Sequence, residues 1–162
     1  MSLLRFAALV ALALWVGGLA TLGGLGAPAI FDALAPHDAT GGLAGRVFGT
    51  VFARLQYLAW LLGLVLLASL GARAAIGPRP HRWGLRMWTV AGMLLASLAS
   101  VFLIAPRIEA LRADIGASVQ TLPAADGRRV TFGRLHGLSS GLLTLTICAG
   151  LGLLWTEMRD QH

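Results

Sequence analysis

Arginines, acids and a histidine at the edges of long apolar segments are the residues best suited to chemistry in this chain of 162 residues. Counted at about 1.5 Å per residue, Arg54 and Gln56 lie roughly 25 Å and His136 roughly 28 Å from the opposite ends of their predicted helices. Asp32 and Arg107 follow the two other segments, so all four segments contribute to one level. The predicted rim cluster at this level comprises Asp32, Arg46, Arg54, Gln56, Arg107, Glu109, Arg134, His136 and Ser139.

The rim cluster has a structural and a functional interpretation. In the first it is a salt-bridged cap, in which Asp32 and Glu109 pair with Arg54, Arg107 or Arg134. In the second it is a small vestibule for an anion or a polar head group, because a guanidinium binds carboxylate and phosphate through two parallel hydrogen bonds. A single member at the edge of a span has the simpler role of reaching toward water.

His136 is the one histidine that falls on a predicted span, and Ser139 and Ser140 follow it on the same helical face. It is either hydrogen-bonded within the cap or an axial ligand of haem or a metal, with His37 and Asp38 as further ligands. Paired-histidine and paired-cysteine spacings typical of metal sites are absent from the sequence. We therefore predict no cofactor, with haem or a metal at His136 as the alternative.

Acid–base machinery is also missing from the apolar segments. No segment carries a pair of carboxylates, and no ionisable residue reaches the predicted mid-bilayer, where a proton relay would need one. We therefore predict that the protein is not an enzyme.

Four long apolar segments must position these residues. The chain is 57% hydrophobic and 12% charged, with a mean hydropathy of +0.76, and a span needs about 20 apolar residues. The sequence predicts an all-α fold, an integral membrane antiparallel four-helix bundle that forms a single transmembrane domain over 1–162. The predicted helices cover 4–30, 47–72, 87–105 and 129–155, and Pro106 is predicted to end the third. An amphipathic segment at 107–122 either extends that helix or lies on the membrane surface.

The connection between the second and third helices sets the predicted orientation. It contains Arg73, Arg79, Arg82 and Arg86 and no acid, so the positive-inside rule places it in the cytoplasm together with both termini. We therefore predict a multi-pass protein of the bacterial inner membrane. The basic charge fits lipid and the insertion machinery as partners, and we predict no nucleic-acid partner.

Small residues recur at helical spacing in the first and fourth segments. Association of helices in lipid depends on close backbone approach, which small residues allow. The stripes predict that the two helices pack on each other or on a partner subunit, in a homo-oligomer or a larger membrane complex. The residues concerned are Ala13, Gly17, Ala20, Gly24, Gly137, Gly141 and Gly152.

Several short motifs occur in an order that resembles a known family. They are Leu-Trp-Val-Gly-Gly-Leu at 14–19, Ala-Pro-Ala-Ile-Phe at 27–31, Ala-Gly-Arg-Val-Phe at 44–48, Pro-Arg-Ile at 106–108 and Phe-Gly-Arg-Leu-His-Gly-Leu-Ser at 132–139. The set is similar to small bacterial proteins related to eukaryotic transmembrane protein 205, which implies four spans and no established biochemical activity. The matching positions are Trp15, Gly17, Gly18, Arg46, Pro106, Arg107, Arg134, His136 and Ser139.

The architecture implied by that family is also similar to copper-resistance membrane proteins and to a haem-containing protoporphyrinogen oxidase. Three hypotheses follow for the function. The first is a bundle that binds or moves a small solute or lipid at its extracytoplasmic rim. The second is a haem- or metal-binding redox protein that uses His136, and the third is a structural accessory subunit of a membrane complex.

Overall fold

The computed structural model describes residues 3–37, 42–77, 81–116 and 119–159, apart from the side chain of Gln120. These ranges contain helices and no strand, and four helical segments are long and apolar enough to cross a membrane. The elements are α1 (Leu3–Thr21), a π turn (Leu22–Gly26), α2 (Ala27–Leu34), α3 (Gly42–Ile76), α4 (Trp83–Ala99), a second π turn (Ser100–Ile104), α5 (Ala105–Ile115), a short 3₁₀ turn (Val119–Thr121) and α6 (Gly127–Arg159). The prediction of an all-α membrane bundle of four helices is confirmed.

Each span is longer than its predicted helix at both ends. The spans run Leu3–Leu34, Gly42–Ile76, Trp83–Ile115 and Gly127–Arg159. A helix of this length covers about 50 Å, whereas the hydrocarbon layer is about 30 Å thick. The predicted bounds marked only the apolar part of each helix, and the polar ends continue the same helices beyond it.

Pro106 does not end the third span, contrary to prediction. The chain passes from α4 through the second π turn into α5, with Pro106 in the first turn of α5. The backbone N–H of Ala105 donates to the carbonyl of Ser100, five residues earlier. This wider turn relieves the clash that a proline ring makes with the preceding turn of an α-helix. The segment predicted at 107–122 therefore starts as an extension of the third span, which ends at Ile115.

The first span also has a π turn directly before a proline. Pro28 lies in the first turn of α2, directly after the first π turn, and the N–H of Ala27 donates to the carbonyl of Leu22. A proline and a π turn thus occur together in both spans that run in this direction. In both places the helix continues where a sequence rule predicts a break.

The four spans form a ring in chain order. Helix α1 packs on α3 and α6, and α4 packs on the same two helices. The interior is apolar, with Leu12, Trp15, Leu19 and Val90 almost completely buried. Large apolar side chains cover the outside as well; Trp88 is 78% exposed and Leu61 59% exposed. Apolar surface on this scale fits lipid as the solvent, and the chain is a multi-pass membrane protein.

Two glycines allow the closest approach of the helices. A Cβ built on Gly63 would lie 2.5 Å from Cδ2 of Leu94, and one on Gly150 would lie 2.3 Å from Cγ2 of Val16. Both positions are buried. Close contact between backbones is the main source of helix association in lipid, so these positions hold α3 against α4 and α6 against α1.

The predicted small-residue stripes do not form the contact between the first and fourth spans. Ala13 and Ala20 are exposed, and so are all five glycines of the two stripes. A Cβ added to any of those glycines, which are Gly17, Gly24, Gly137, Gly141 and Gly152, would meet nothing within 4 Å. Helices α1 and α6 do pack on each other, but through other faces, because the larger residues beside the stripes fill the interior. The partner-subunit alternative stays a prediction.

Substitution of Gly150 by alanine tests the close contact. We expect Gly150→Ala to lower the free energy of unfolding by about 1–3 kcal/mol, because the added methyl group overpacks the contact with Val16. The control is Gly141→Ala, which adds the same methyl group to the same helix where space is open. Denaturant unfolding of the purified protein in detergent measures both, and equal stability of the two variants would contradict the packing described.

Candidate functional site

A network of charged residues encloses Glu157 at the end of the bundle where α1 and α4 begin and α3 and α6 end. We call this the terminal end and define the terminal network as Arg5, Arg73, Arg86 and Glu157. The carboxylate of Glu157 accepts hydrogen bonds from Nη1 of Arg73 at 2.9 Å and from Nη1 of Arg86 at 2.7 Å. The guanidinium of Arg5 donates to the carbonyl oxygen of Glu157. Every span therefore contributes one member.

The terminal network is largely removed from solvent. The side chains of Arg86 and Glu157 are 4% and 5% exposed, and that of Arg73 is 15% exposed. The second terminal nitrogen of Arg86 donates to the carbonyl of Thr156 at 3.3 Å. Burial of these charges is tolerated because they are paired and hydrogen-bonded; removal of one partner from such a pair costs several kcal/mol. The network thus holds α3 and α4 against the last turns of α6.

A cleft opens between α4 and α6 beside the terminal network. Its volume is about 620 Å³, within the range of roughly 300–1,000 Å³ that is usual for small-molecule sites. It has cationic residues near the terminal end and apolar residues farther along the helices. The lining consists of His81, Arg82, Leu85, Arg86, Thr89, Ala149, Gly152, Leu153, Trp155, Thr156 and Arg159.

Two cations near the terminal end, Arg82 and Arg159, have distinctive local structure. Arg82 immediately precedes α4 and has a left-handed backbone, with φ of 53° and ψ of 37°. Among the described residues it is the one non-glycine residue with positive φ. Such a conformation is unfavourable for an arginine and persists only where the surrounding structure enforces it. On the facing helix, the guanidinium carbon of Arg159 lies 4.8 Å from the ring centroid of Trp155, a cation–π contact.

This arrangement is suited to bind an anion that also has an apolar part. Arg82, Arg86 and Arg159 come from two helices and border one cleft, and guanidinium groups bind carboxylate and phosphate well. Within the described ranges, no three His, Cys, Asp or Glu side chains are grouped so that they could hold a metal ion. The cleft offers cations at one end and apolar walls beyond them.

The rim cluster lies toward the opposite end of the bundle, which we call the distal end. Gln56 is buried and Ser139 half-buried, whereas Asp32, Arg46, Arg54, Arg107, Glu109, Arg134 and His136 are all exposed. Asp32 makes no ion pair with any described residue, and Asp38, a further predicted ligand, lies outside those residues, as does Arg79. The structure does not gather the side chains of the predicted residues into one buried site.

The predicted pairing of Glu109 is wrong. Glu109 pairs with Arg112 at 2.9 Å and not with Arg54, Arg107 or Arg134. Residues three apart face the same side of a helix, whereas residues two apart, such as Arg107 and Glu109, point to different sides. Arg112 instead makes contacts with two other helices at the distal end. Its guanidinium carbon is 5.5 Å from the ring centroid of Phe132. A Cβ built on Gly45 would lie 2.6 Å from Nη2 of Arg112.

His136 stacks on Phe132 on the surface of α6, with ring centroids 6.1 Å apart. A role for His136 as a haem or metal ligand stays a prediction. The neighbouring residues 137–141 read Gly-Leu-Ser-Ser-Gly and so match the Gly-x-Ser-x-Gly pattern of a hydrolase nucleophile, which the sequence analysis did not identify. They lie inside the continuous helix α6, whereas the nucleophile motif needs a sharp turn between a strand and a helix.

Sequence reasoning missed the terminal network. Arg73 and Arg86 counted only as signals of orientation, and Glu157 was not identified. The available signal was a single acid in the last turns of an apolar helix, at the same level as arginines that begin or end the other three spans. Intramembrane or edge-of-span acids of this kind have a partner by default.

Removal of the Glu157 charge tests the terminal network. We expect Glu157→Gln to lower the free energy of unfolding by about 3 kcal/mol, because two arginines then lose their buried counter-charge. Glu109→Gln is the matched control, since it breaks an exposed pair worth under about 1 kcal/mol. Denaturant unfolding in detergent at neutral pH measures both, and an equal effect of the two substitutions would show that the network does not stabilise the bundle.

Comparison with known proteins gives one family match. Residues 10–117 match the family model described as "Domain of unknown function (DUF4149)". No curated protein and no solved structure matches the chain. The match gives no support to the resemblance to transmembrane protein 205 or to copper-resistance membrane proteins, and those likenesses stay predictions. The matched region includes Arg73, Arg82 and Arg86, whereas Glu157 and His136 lie beyond it.

Proposed function

Since the chain belongs to the DUF4149 family, whose function is unknown, its role has to be inferred from its own site, and we propose that it binds an anionic group at the terminal end of the bundle. The binding site in this proposal is the cleft between α4 and α6. The observation that carries the proposal is the position of Arg159, which lines the cleft, is exposed, and has its guanidinium carbon 4.8 Å from the ring centroid of Trp155. A cation held in this way is ready to interact with an anion at little cost in side-chain entropy.

The other cations of the cleft support the same role. Arg82 and Arg159 border the cleft from opposite helices, so an anion between them can accept hydrogen bonds from both sides. Each hydrogen bond to a charged group contributes about 1.5–3 kcal/mol. Sequence reasoning placed an anion site in the rim cluster, whose four arginines are exposed. A binding role for the rim cluster stays a prediction.

The orientation of the protein is part of the proposal. The arginines between the second and third spans, with Trp83, Trp88 and Trp155 near the same end, favour a cytoplasmic terminal end. In this proposal the protein resides in a bacterial inner membrane with both termini in the cytoplasm. The cytoplasmic leaflet is the one rich in anionic lipid, so the cleft faces a supply of anions.

The proposed activity is binding, without catalysis and without a resident cofactor. Redox chemistry with haem or a metal at His136 is the alternative predicted from the sequence, and so is a structural role in a larger complex. The resemblance to transmembrane protein 205 adds no reaction to these alternatives. Absorption spectroscopy of protein from haem-sufficient cells distinguishes the haem alternative, because a Soret band absent from His136→Ala would support it.

Substitution of the facing arginines tests the proposed function. We expect the double variant Arg82→Ala, Arg159→Ala to bind inorganic phosphate at least about a hundredfold more weakly than the unchanged protein, because the anion loses two charged donors. The control is Arg46→Ala, Arg134→Ala, which removes two exposed arginines at the distal end. Phosphate titration by isothermal calorimetry in a neutral detergent measures both. Loss of phosphate binding in the control variant alone would contradict the proposal and indicate that phosphate binds at the rim cluster.

We propose further that the exposed stripe of α1 and the part of the α6 stripe that contains Gly137 and Gly141 associate with a second copy of the chain. Both stripes face outward and have open space above their glycines, which is the geometry that lets helices from different subunits approach closely. Cys148 is exposed and lies seven residues from Gly141, on the same side of α6. A homodimer formed through this stripe brings two copies of Cys148 together.

Cysteine cross-linking tests this association. We expect mild oxidation in native membranes to give a disulfide-linked dimer, because Cys148 is the sole cysteine of the chain and lies on the proposed contact surface. Gly141→Leu should abolish the dimer by adding bulk at the contact, whereas Gly49→Leu, at an open position on α3, should leave it intact. A monomer in all samples would contradict the association.

A further inference from the structure

The chemical class of the anion follows from the shape of the cleft, provided that the proposed function holds. We infer that the ligand is a membrane lipid with an anionic head group, which enters sideways from the leaflet and places an acyl chain between α4 and α6. The head group lies near Arg82 and Arg159. The acyl chain runs along Leu85 and Thr89 on one side and along Ala149 and Gly152 on the other.

The polarity of the cleft changes along its length as the polarity of a lipid does. His81, Arg82 and Arg159 lie at the terminal end, and Leu85, Ala149 and Leu153 lie farther along. The lining runs from residue 82 to 89 on α4 and from 149 to 159 on α6, which corresponds to about 10–15 Å of helix. One leaflet contributes about half of the 30 Å hydrocarbon layer. The cleft therefore has about the depth of one leaflet.

The threonines of the cleft do not make its deep part polar. The hydroxyl of Thr89 donates to the carbonyl of Leu85 at 2.8 Å, and that of Thr156 donates to the carbonyl of Leu153 at 2.8 Å. Both hydroxyl protons are thus used within their own helices. The walls beyond the cationic end are suited to contact methylene groups rather than a second polar group.

The size of the cleft argues against a small inorganic anion as the natural ligand. A volume of about 620 Å³ is many times the roughly 30 Å³ that one water molecule occupies in the liquid. A phosphate ion at the cationic end would leave most of the apolar part filled with water or detergent. An anionic lipid matches the cationic end and the apolar part at once.

Gly152 provides the space for the acyl chain, and substitution of Gly152 by a larger residue fills that space. It lines the cleft, and a Cβ built on it would meet nothing within 4 Å. A leucine at this position therefore starts from open space and adds apolar bulk to the cleft. Gly141 is a matched control, because it lies on the same helix and outer stripe, is equally open and does not line the cleft. If added bulk on the outer stripe of α6 is enough to weaken lipid retention, Gly152→Leu and Gly141→Leu will both weaken it.

The experiment measures lipid and phosphate binding to the same full-length variants. The probes are phosphatidylglycerol and phosphatidylcholine, followed by native mass spectrometry from a neutral detergent, and inorganic phosphate, followed by calorimetry. We expect preferential retention of phosphatidylglycerol, about tenfold weaker retention in Gly152→Leu, and unchanged retention in Gly141→Leu. Phosphate binding should persist in Gly152→Leu, because the cationic end is unchanged. The double variant Arg82→Ala, Arg159→Ala should lose the preference for the anionic lipid.

The outcomes separate this inference from the proposed function. If phosphate binds through Arg82 and Arg159 but phosphatidylglycerol is not preferred, or if Gly152→Leu and Gly141→Leu behave alike, the lipid inference fails and the anion site stands. If neither phosphate nor phosphatidylglycerol binds the unchanged protein, both fail. Equal retention of phosphatidylcholine and phosphatidylglycerol would show that the acyl chain is recognised without the head group, which also overturns the inference.

Discussion

The burial of one carboxylate, that of Glu157, governs how the four spans meet at the terminal end. A charge in surroundings of low polarity is tolerated only with a counter-charge and hydrogen bonds at short range. Arg73 and Arg86 supply both, at 2.9 and 2.7 Å, and they come from the end of one span and the start of the next. The short connection between α3 and α4 is thereby tied to the last turns of α6. Apolar packing alone gives little preference for one register of helices in lipid, so this polar contact is an important source of specificity.

The cleft between α4 and α6 lies beside this contact. Arg86, which pairs with Glu157, lines the cleft, while Gly152 contributes no side chain to the facing wall. Nearer the terminal end, Arg82 and Arg159 also line the cleft, and Arg159 lies against the ring of Trp155. In the proposed function, the stabilising ion pair and the binding surface share Arg86.

The two ends of the bundle contain arginines in similar numbers but use them differently. At the terminal end they are buried against a carboxylate or border a cleft. At the distal end Arg46, Arg54, Arg107 and Arg134 are exposed, as expected for long side chains that reach from a helix end toward water. Arg112 and Arg129 differ from these, because Arg112 lies against Gly45 and Phe132 and Arg129 donates to the carbonyl of Leu122. Burial and partners therefore distinguish the arginines of the two ends, whereas their number does not.

The sequence by itself determined that lipid surrounds this protein and that it has four spans, because composition and the length of apolar segments are local properties. The direction in which a residue faces was decided by tertiary structure. Gly17 and Gly141 have the spacing of packing residues but face outward, whereas Gly63 and Gly150 form the close contacts. Arg54, Arg107 and His136, predicted to lie at one level, are all exposed, while Arg86 and Glu157, far apart in sequence, form a pair. Depth can be counted along one helix, but rotation about its axis depends on how the side chains of all four helices fill the interior together.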